Sequence, residues 1–282
     1  MVFPENIGTR LSIDEVALSK GELYTIVTNK KAKGKKGSIV AIVATTKAES
    51  VINHLFKIPS SKRHKVKEIT LDMANSMKLI AKKCFPKAIQ VTDRFHVQKL
   101  ALEALQDIRI KHRWEAIDTE NEQIKLARAN NKDYLPELLE NGDTIKQLLA
   151  RSRYLLYKAP NNWTEQQKVR AKLLFQRYPD IKTAFNLVQS LRHIFNNAPS
   201  IQIAYTKLAH WYRDVEETGY KAFNTIANSI KLNYRSILNY FINRSTNASA
   251  ESFNAKIKAF RLQFRGVKNT EFFLYRLTTI FA

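Results

Sequence analysis

Three carboxylates stand where they can act together. Asp14 interrupts the apolar run LSIDEVAL (11–18), Asp72 ends the run VKEITLD (66–72), and Glu251 lies in NASAESFNAKIKAFR (247–261). A carboxylate inside an apolar strand is costly unless a cation or hydrogen-bond donors meet it. Two strand-borne aspartates at one sheet edge can hold a divalent ion. Mg²⁺ is hard, prefers oxygen ligands in octahedral geometry, and retains waters and substrate phosphates. Two such ions roughly 4 Å apart activate a water or a 3′-hydroxyl and stabilise the leaving oxygen of a phosphodiester. Each residue also has a plainer reading. Asp72 precedes a helical segment and can cap it. Glu251 can belong to an ordinary solvated helix face.

The surroundings of these residues add candidates. At 100° per residue, Glu251, Asn254 and Lys258 share one helical face, with Phe253, Ile257 and Phe260 opposite. The apolar side is expected to pack on a sheet and the polar side to face a cleft. Asp93 and His96, in DRFHV, are three residues apart and share a helical side. They are a metal ligand and substrate contact, or an N-cap aspartate with a first-turn histidine; both readings stand. Asn254, Lys256, Lys258, Arg261, Arg265, Arg94 and His96 are the candidate DNA contacts. Residues 244–282 hold seven Lys and Arg, including Lys268, against two Glu, interleaved with aromatics. Basic residues of this kind track a nucleic-acid backbone, and the aromatics are either core or stacking surfaces. The turn KKAKGKKG (30–37) is a phosphate-binding loop or a solvated hairpin tip.

Composition limits the partners. The 282 residues carry 47 Lys and Arg against 25 Asp and Glu, a formal charge of +22. That excess strains the compact state unless a polyanion relieves it, which points to nucleic acid. Hydrophobic residues make up 44%, enough for a sizeable core, and Gly and Pro number only seven each, which favours long helices. The single cysteine, Cys84, excludes an intramolecular disulfide and a cysteine-based zinc finger. No run is long and apolar enough for a membrane span, and the first residues are not a secretory signal. A cytoplasmic protein is the default.

Three parts must position the carboxylates. Residues 1–95 read as strands at 11–18, 23–29 and 38–46, a helix at 47–57, a strand at 66–72, a helix at 73–85 and a strand at 88–93. The first three form an antiparallel meander, because their connections are too short for a parallel crossover. From 96 to 243 the pattern is helical, with helices expected at 96–117, 144–158, 164–178, 180–196, 200–217 and 220–243, and prolines between them. Residues 244–282 return to a patterned helix, a break at Gly266 and a closing apolar-rich helix. Periodicity alone gives a mixed α/β (α+β) chain with a large all-helical insertion.

With these residues in view, the sequence resembles the DDE transposases of bacterial insertion sequences, specifically the ISL-three family. The stretches that carry the resemblance are LSIDEVALSKGELYTIVTNK (11–30), LDMANSM (71–77), CFPKAIQVTDRFHVQKL (84–100) and NRSTNASAESFNAKIKAFRLQFRGVKNTEFFLYRL (243–277). The resemblance implies an RNase H-like core, three antiparallel strands, helix, strand, helix, strand, interrupted by helices before the glutamate. That arrangement is similar to the Mutator-like and hAT transposases. The catalytic core would be shared by 1–95 and 244–282, with 96–243 as the insertion. It also implies Mg²⁺ (or Mn²⁺), two ions, and cleavage and strand transfer of DNA phosphodiesters at the element's ends. DNA of the ends and target would be the partner, with a homodimer or higher oligomer assembled on it. Asp14 matches the first aspartate and Glu251 the glutamate. Asp72 is taken as the second, with Asp93 as alternative or support. Relatives usually begin with a cysteine-containing zinc segment and a helix-turn-helix. This chain begins about a dozen residues before Asp14, so a truncated product, a split reading frame or a catalytic domain alone is expected, binding DNA by charge without tight end specificity. The competing readings are a catalytically silent DNA-binding protein derived from such an element and an RNase H-like nuclease with another substrate.

Overall fold

Alternation along short β-branched runs builds a sheet with two unlike faces. A computed structural model describes residues 1–18, 21–264, 266 and 269–282. Strands β1 (Arg10–Ala17), β2 (Leu23–Asn29), β3 (Ile39–Val43), β4 (Glu68–Leu71) and β5 (Ile89–Thr92) form one sheet in the order β3-β2-β1-β4-β5. The β1–β2 and β2–β3 pairs are antiparallel, and β1–β4 and β4–β5 are parallel. Helices α1 (Ala48–Leu55) and α2 (Ser60–Arg63) precede β4, and α3 (Asn75–Cys84) links β4 to β5. The expected order of elements is present, with α2 as an additional turn.

One face of the sheet is apolar. Leu11, Ile13, Ile69 and Leu71 are fully buried with Val51 and Leu55 of α1 and Met77, Ile80 and Cys84 of α3. Spacings of three and four residues put those α3 side chains on one stripe. The other face carries Val16, Tyr24, Ile26 and Ile42, which pack with Phe253 and Ile257 of α13 (Ala248–Gln263) and Phe273 and Leu277 of α14 (Thr270–Phe281). Each such side chain contributes roughly 1.5–3 kcal/mol by leaving water. The β2–β3 turn crosses close to α13. Gly34 has φ +73°, and a Cβ there would meet Phe253 and the Lys256 ammonium at 3.4 Å, so glycine serves both the left-handed backbone and the close approach.

The chain forms two compact units. The first comprises residues 1–96, 199–201 and 230–282, and the second 97–198 and 202–229. The second unit is helical: most of α4 (Arg94–Ala129), then α5 (Ile145–Arg151), α6 (Arg153–Tyr157), α7 (Glu165–Arg177), α8 (Pro179–Asn197), α9 (Ile201–Thr218) and much of α10 (Lys221–Leu232). Thr144 and Thr164 open α5 and α7 with capping boxes closed by Gln147 and Gln167. Pro179 starts α8, where its missing N–H is harmless. Buried Asp143 accepts hydrogen bonds from Arg151, from Arg170 at 2.9 Å and from Asn141 at 2.8 Å.

Three helices depart from the periodic expectation. The one expected over 144–158 is divided at Ser152 into α5 and α6. α4 continues twelve residues past 117, because DTENEQIKLARA contains no breaker; it stops at Asn131, whose φ is 51°. Past Arg109 no residue of α4 is buried, so the apolar period ends before the helix does. The helix expected over 220–243 is three: α10, α11 (Tyr234–Leu238) and α12 (Tyr240–Asn243). The breaks fall at Asn233 and Asn239, residue types that favour bonding outside the helix ladder. Asn233 O accepts from Ser236 Oγ at 3.0 Å, and Asn239 Nδ2 donates to Gln90 O of β5 at 2.9 Å.

Candidate metal and nucleic-acid site

The parallel strands set three side-chain rows across the second face of the sheet. Arg10 pairs with Glu68, which pairs with Ile89; Ser12 pairs with Thr70, which pairs with Val91. Side chains alternate along a strand, so the next row on this face is Asp14, Asp72 and Asp93. Leu71 pairs with Thr92, and Asp93 N donates to Leu71 O at 2.9 Å, which carries that register to the third row. The three aspartates thus stand side by side at the carboxyl-terminal end of the parallel strands.

Glu251 comes to this row from the first turn of α13, where the helix dipole favours a negative charge. Ligand atoms of Asp93, His96 and Glu251 all lie within 4.8 Å of one another. Asp14 Oδ1 accepts from Glu15 N at 2.9 Å and its Oδ2 accepts from Asn254 Nδ2 at 2.6 Å. Burial raises the Asp14 carboxyl above its ordinary value; the Glu15 N–H and His96 oppose this, and Asp72 and Asp93 add to it. Glu251 is raised by burial and then by Asp93, with His96 opposing. Glu15 is raised by burial, then by Asp72 and Asp14. Burial leads in each case, and the neighbouring carboxylates add to it.

Orphaned oxygens fit the same reading. Asp93 Oδ2, Glu251 Oε1 and Asn254 Oδ1 are buried with no hydrogen-bond partner among the described residues. Asp93 is 1% exposed, and its Oδ1 accepts from Phe95 N at 3.3 Å. Buried acceptors of this kind are normally satisfied. Carboxylate oxygens with a single imidazole nitrogen suit a hard divalent ion such as Mn²⁺ or Mg²⁺, so the residues fit a divalent ion.

The remaining candidates divide. Asp72 does not cap α3, whose N-cap is Ala74; its Oδ1 accepts from Ala74 N at 2.8 Å. Lys256 and Lys258 are exposed. Arg94 donates to Tyr240 Oη at 3.2 Å and lies over that ring. Two expected DNA contacts are buried and face inward. Asn254 is 8% exposed and turned to Asp14. Arg261 is 6% exposed, paired with Glu22 at 3.2 Å and stacked on Phe273. Both sit where α13 meets the sheet, and each meets a carboxylate instead of solvent, Asp14 of β1 or Glu22 just before β2. Arg265 and Lys268 lie outside the described residues.

The middle row is a polar network that periodicity did not reveal. Ser12 donates to Asn247 Oδ1. Lys30 Nζ donates to Thr70 Oγ1 at 2.8 Å and to Ser245 Oγ, and lies 3.8 Å from Glu68 Oε1. Glu68 also accepts from Asn243 at 3.1 Å and from Ser245. The available signal was the run of polar residues at every second position, Ser12–Asp14 and Glu68–Thr70–Asp72.

Known proteins are similar to this sequence. A family model described as a transposase, of the DDE ISL3 type, matches residues 11–277. The chain is similar to the transposase for insertion sequence element IS1001 of Bordetella parapertussis, 25% identical over 275 residues, which are 96% of this chain and 60% of that protein. It is also similar to the transposase for insertion sequence element IS1557 of Mycobacterium tuberculosis, 25% identical over 193 residues, 66% of this chain and 41% of that protein. The chain therefore spans about 60% of the length of the first relative and less of the second. No helix among the described residues is long and apolar enough to cross a membrane.

Proposed function

The chain belongs to the ISL3-type DDE transposases, and from that premise we propose that it cuts and joins DNA phosphodiesters at insertion-sequence ends. In this reading the sheet and α13 form an RNase H-like catalytic core drawn from 1–95 and 244–282, and 96–243 is the helical insertion. The observation that carries it is the row Asp14, Asp72 and Asp93 on adjacent parallel strands, with the Glu251 carboxylate brought against it and oxygens left without donors.

Asp14, Asp72 and Glu251 hold the divalent ions, with Asp93 and His96 completing the set beside Glu251. Asp14 would belong to that set because its carboxyl senses His96, Asp72 and Asp93 together. Bound Mg²⁺ or Mn²⁺ supplies an activated oxygen nucleophile and charge neutralisation on the leaving oxygen. Asn254 fixes the orientation of Asp14 through its 2.6 Å hydrogen bond. Lys256 and Lys258, exposed on α13, take DNA phosphates and hold the backbone over the row.

The test is nicking and strand transfer on a DNA end with Mg²⁺ or Mn²⁺, using Asp14→Asn, Asp72→Asn, Asp93→Asn and Glu251→Gln. All four are expected to fall to background, with weaker Mn²⁺ binding by calorimetry. Full activity of Asp14→Asn or Glu251→Gln would sink the proposal. Activity retained by Asp72→Asn and lost by Asp93→Asn would move the second ligand to Asp93.

A further inference from the structure

The same face of the sheet ends, at the amino-terminal side of the parallel strands, in a cleft of about 710 Å³. Its lining includes Arg10, Lys30, Lys31 and Lys67, with Asn239 and Asn243. Its acidic lining residue, Glu68, is already neutralised by Lys30 and holds hydrogen bonds from Asn243 and Ser245. Lys30 is in turn fixed by Thr70 and Ser245, and its side chain is 13% exposed. Arg10, Lys31 and Lys67 are exposed, and none has an ion-pair partner among the described residues. Three unpaired cations converging on one concave surface repel one another until an anion enters.

We propose that this cleft is a second seat for the DNA phosphodiester backbone, separate from the carboxylate row. The proposal rests on the transposase reading for the choice of DNA. Arg10 and Asp14 lie on one strand and one face, four residues apart, which is about 13 Å at strand rise. A duplex advances about 3.4 Å per base pair, so a strand gripped in the cleft places the phosphate about four nucleotides away at the carboxylates. The segment 244–247 is the crest between the two, because Ser245 and Asn247 cover the middle row. Exposed Arg244 stands on that crest. The cleft thereby fixes register along the backbone without reading bases.

The experiment measures affinity of the whole chain for a duplex of about 30 base pairs by fluorescence anisotropy, in Ca²⁺ over a range of salt. R10A/K31A/K67A is compared with K65A/K82A/K83A, an equal charge loss at exposed positions elsewhere in the same unit. Each lost phosphate contact lowers the log–log salt slope by about 0.9. R10A/K31A/K67A is expected to lower it by about two to three and to weaken binding on the order of 10- to 100-fold at moderate salt, with unchanged circular dichroism. An unchanged slope in R10A/K31A/K67A, or an equal drop in both variants, overturns the cleft proposal and leaves the transposase reading standing. Failure of the unaltered chain to bind duplex DNA overturns both.

Discussion

Asp143 and Asp93 are both about 1% exposed, yet the two units use a buried aspartate in opposite ways. In the helical unit, Asp143 is surrounded by Arg151, Arg170 and Asn141. Burial alone would raise its carboxyl, but those hydrogen bonds outweigh it and hold the group below its ordinary value. In the sheet unit, Asp93 accepts from Phe95 N at 3.3 Å, its Oδ2 has no partner among the described residues, and Glu251 and His96 stand close by. A satisfied charge holds a fold together, whereas an unsatisfied one keeps coordination capacity for something that arrives later.

This contrast can be broken by substitution. Asp143→Asn is expected to give the largest loss of stability, about 3–5 kcal/mol, because two arginines lose their partner; urea unfolding followed by circular dichroism reads it. Phe253→Ala tests the apolar half of the second sheet face, with an expected cost of about 3–5 kcal/mol and an accompanying loss of activity as α13 shifts. Asp93→Asn is expected to leave unfolding stability unchanged or raise it, since a repulsion with Glu251 goes. A loss as large as that of Asp143→Asn would abolish the distinction drawn here. Asn254→Ala is expected to weaken Mn²⁺ binding and activity by roughly 10- to 100-fold, with little change in stability.

The same contrast has a pH signature of opposite sign. Asp143 is depressed, so its contribution to stability is present above its ordinary value of 3.8 and disappears as pH falls through the lowered folded value. Asp14 and Glu251 are raised, so theirs is present below ordinary values of 3.8 and 4.5 and disappears as pH rises through the raised ones. Without divalent ions, Asp14→Asn is therefore expected to gain stability over the native chain at neutral pH and not at pH 3, and Mg²⁺ to narrow that gap. Thermal melts at both pH values check this. Smallest of all is the thiol: burial pushes Cys84 up to about 11, so labelling at pH 8 should follow unfolding and not precede it.

Local signals reached far into this fold. The apolar runs LSIDEVAL and VKEITLD located the strands that carry Asp14 and Asp72, and helical spacing put Glu251 and Asn254 on one side of α13. What meets that side was not local information. Asn254 finds Asp14 across 240 residues, and Ser12 finds Asn247 across 235. The Lys30–Glu68–Ser245 network likewise joins segments that no window spans. Helix ends were legible where proline marks them and illegible where, as after Ile117, a solvated helix runs on without apolar period.

The division of the first unit along the chain also governs synthesis. All five strands are complete by Thr92, but Glu251 is made about 160 residues later. At 5–20 residues per second that is a delay of roughly 10–30 s. During it the nascent sheet carries three aspartates without their glutamate, and Val16, Tyr24, Ile26 and Ile42 wait uncovered for α13 and α14. The nascent sheet thus waits, its carboxylate row and second face both incomplete, until α13 and α14 have been made.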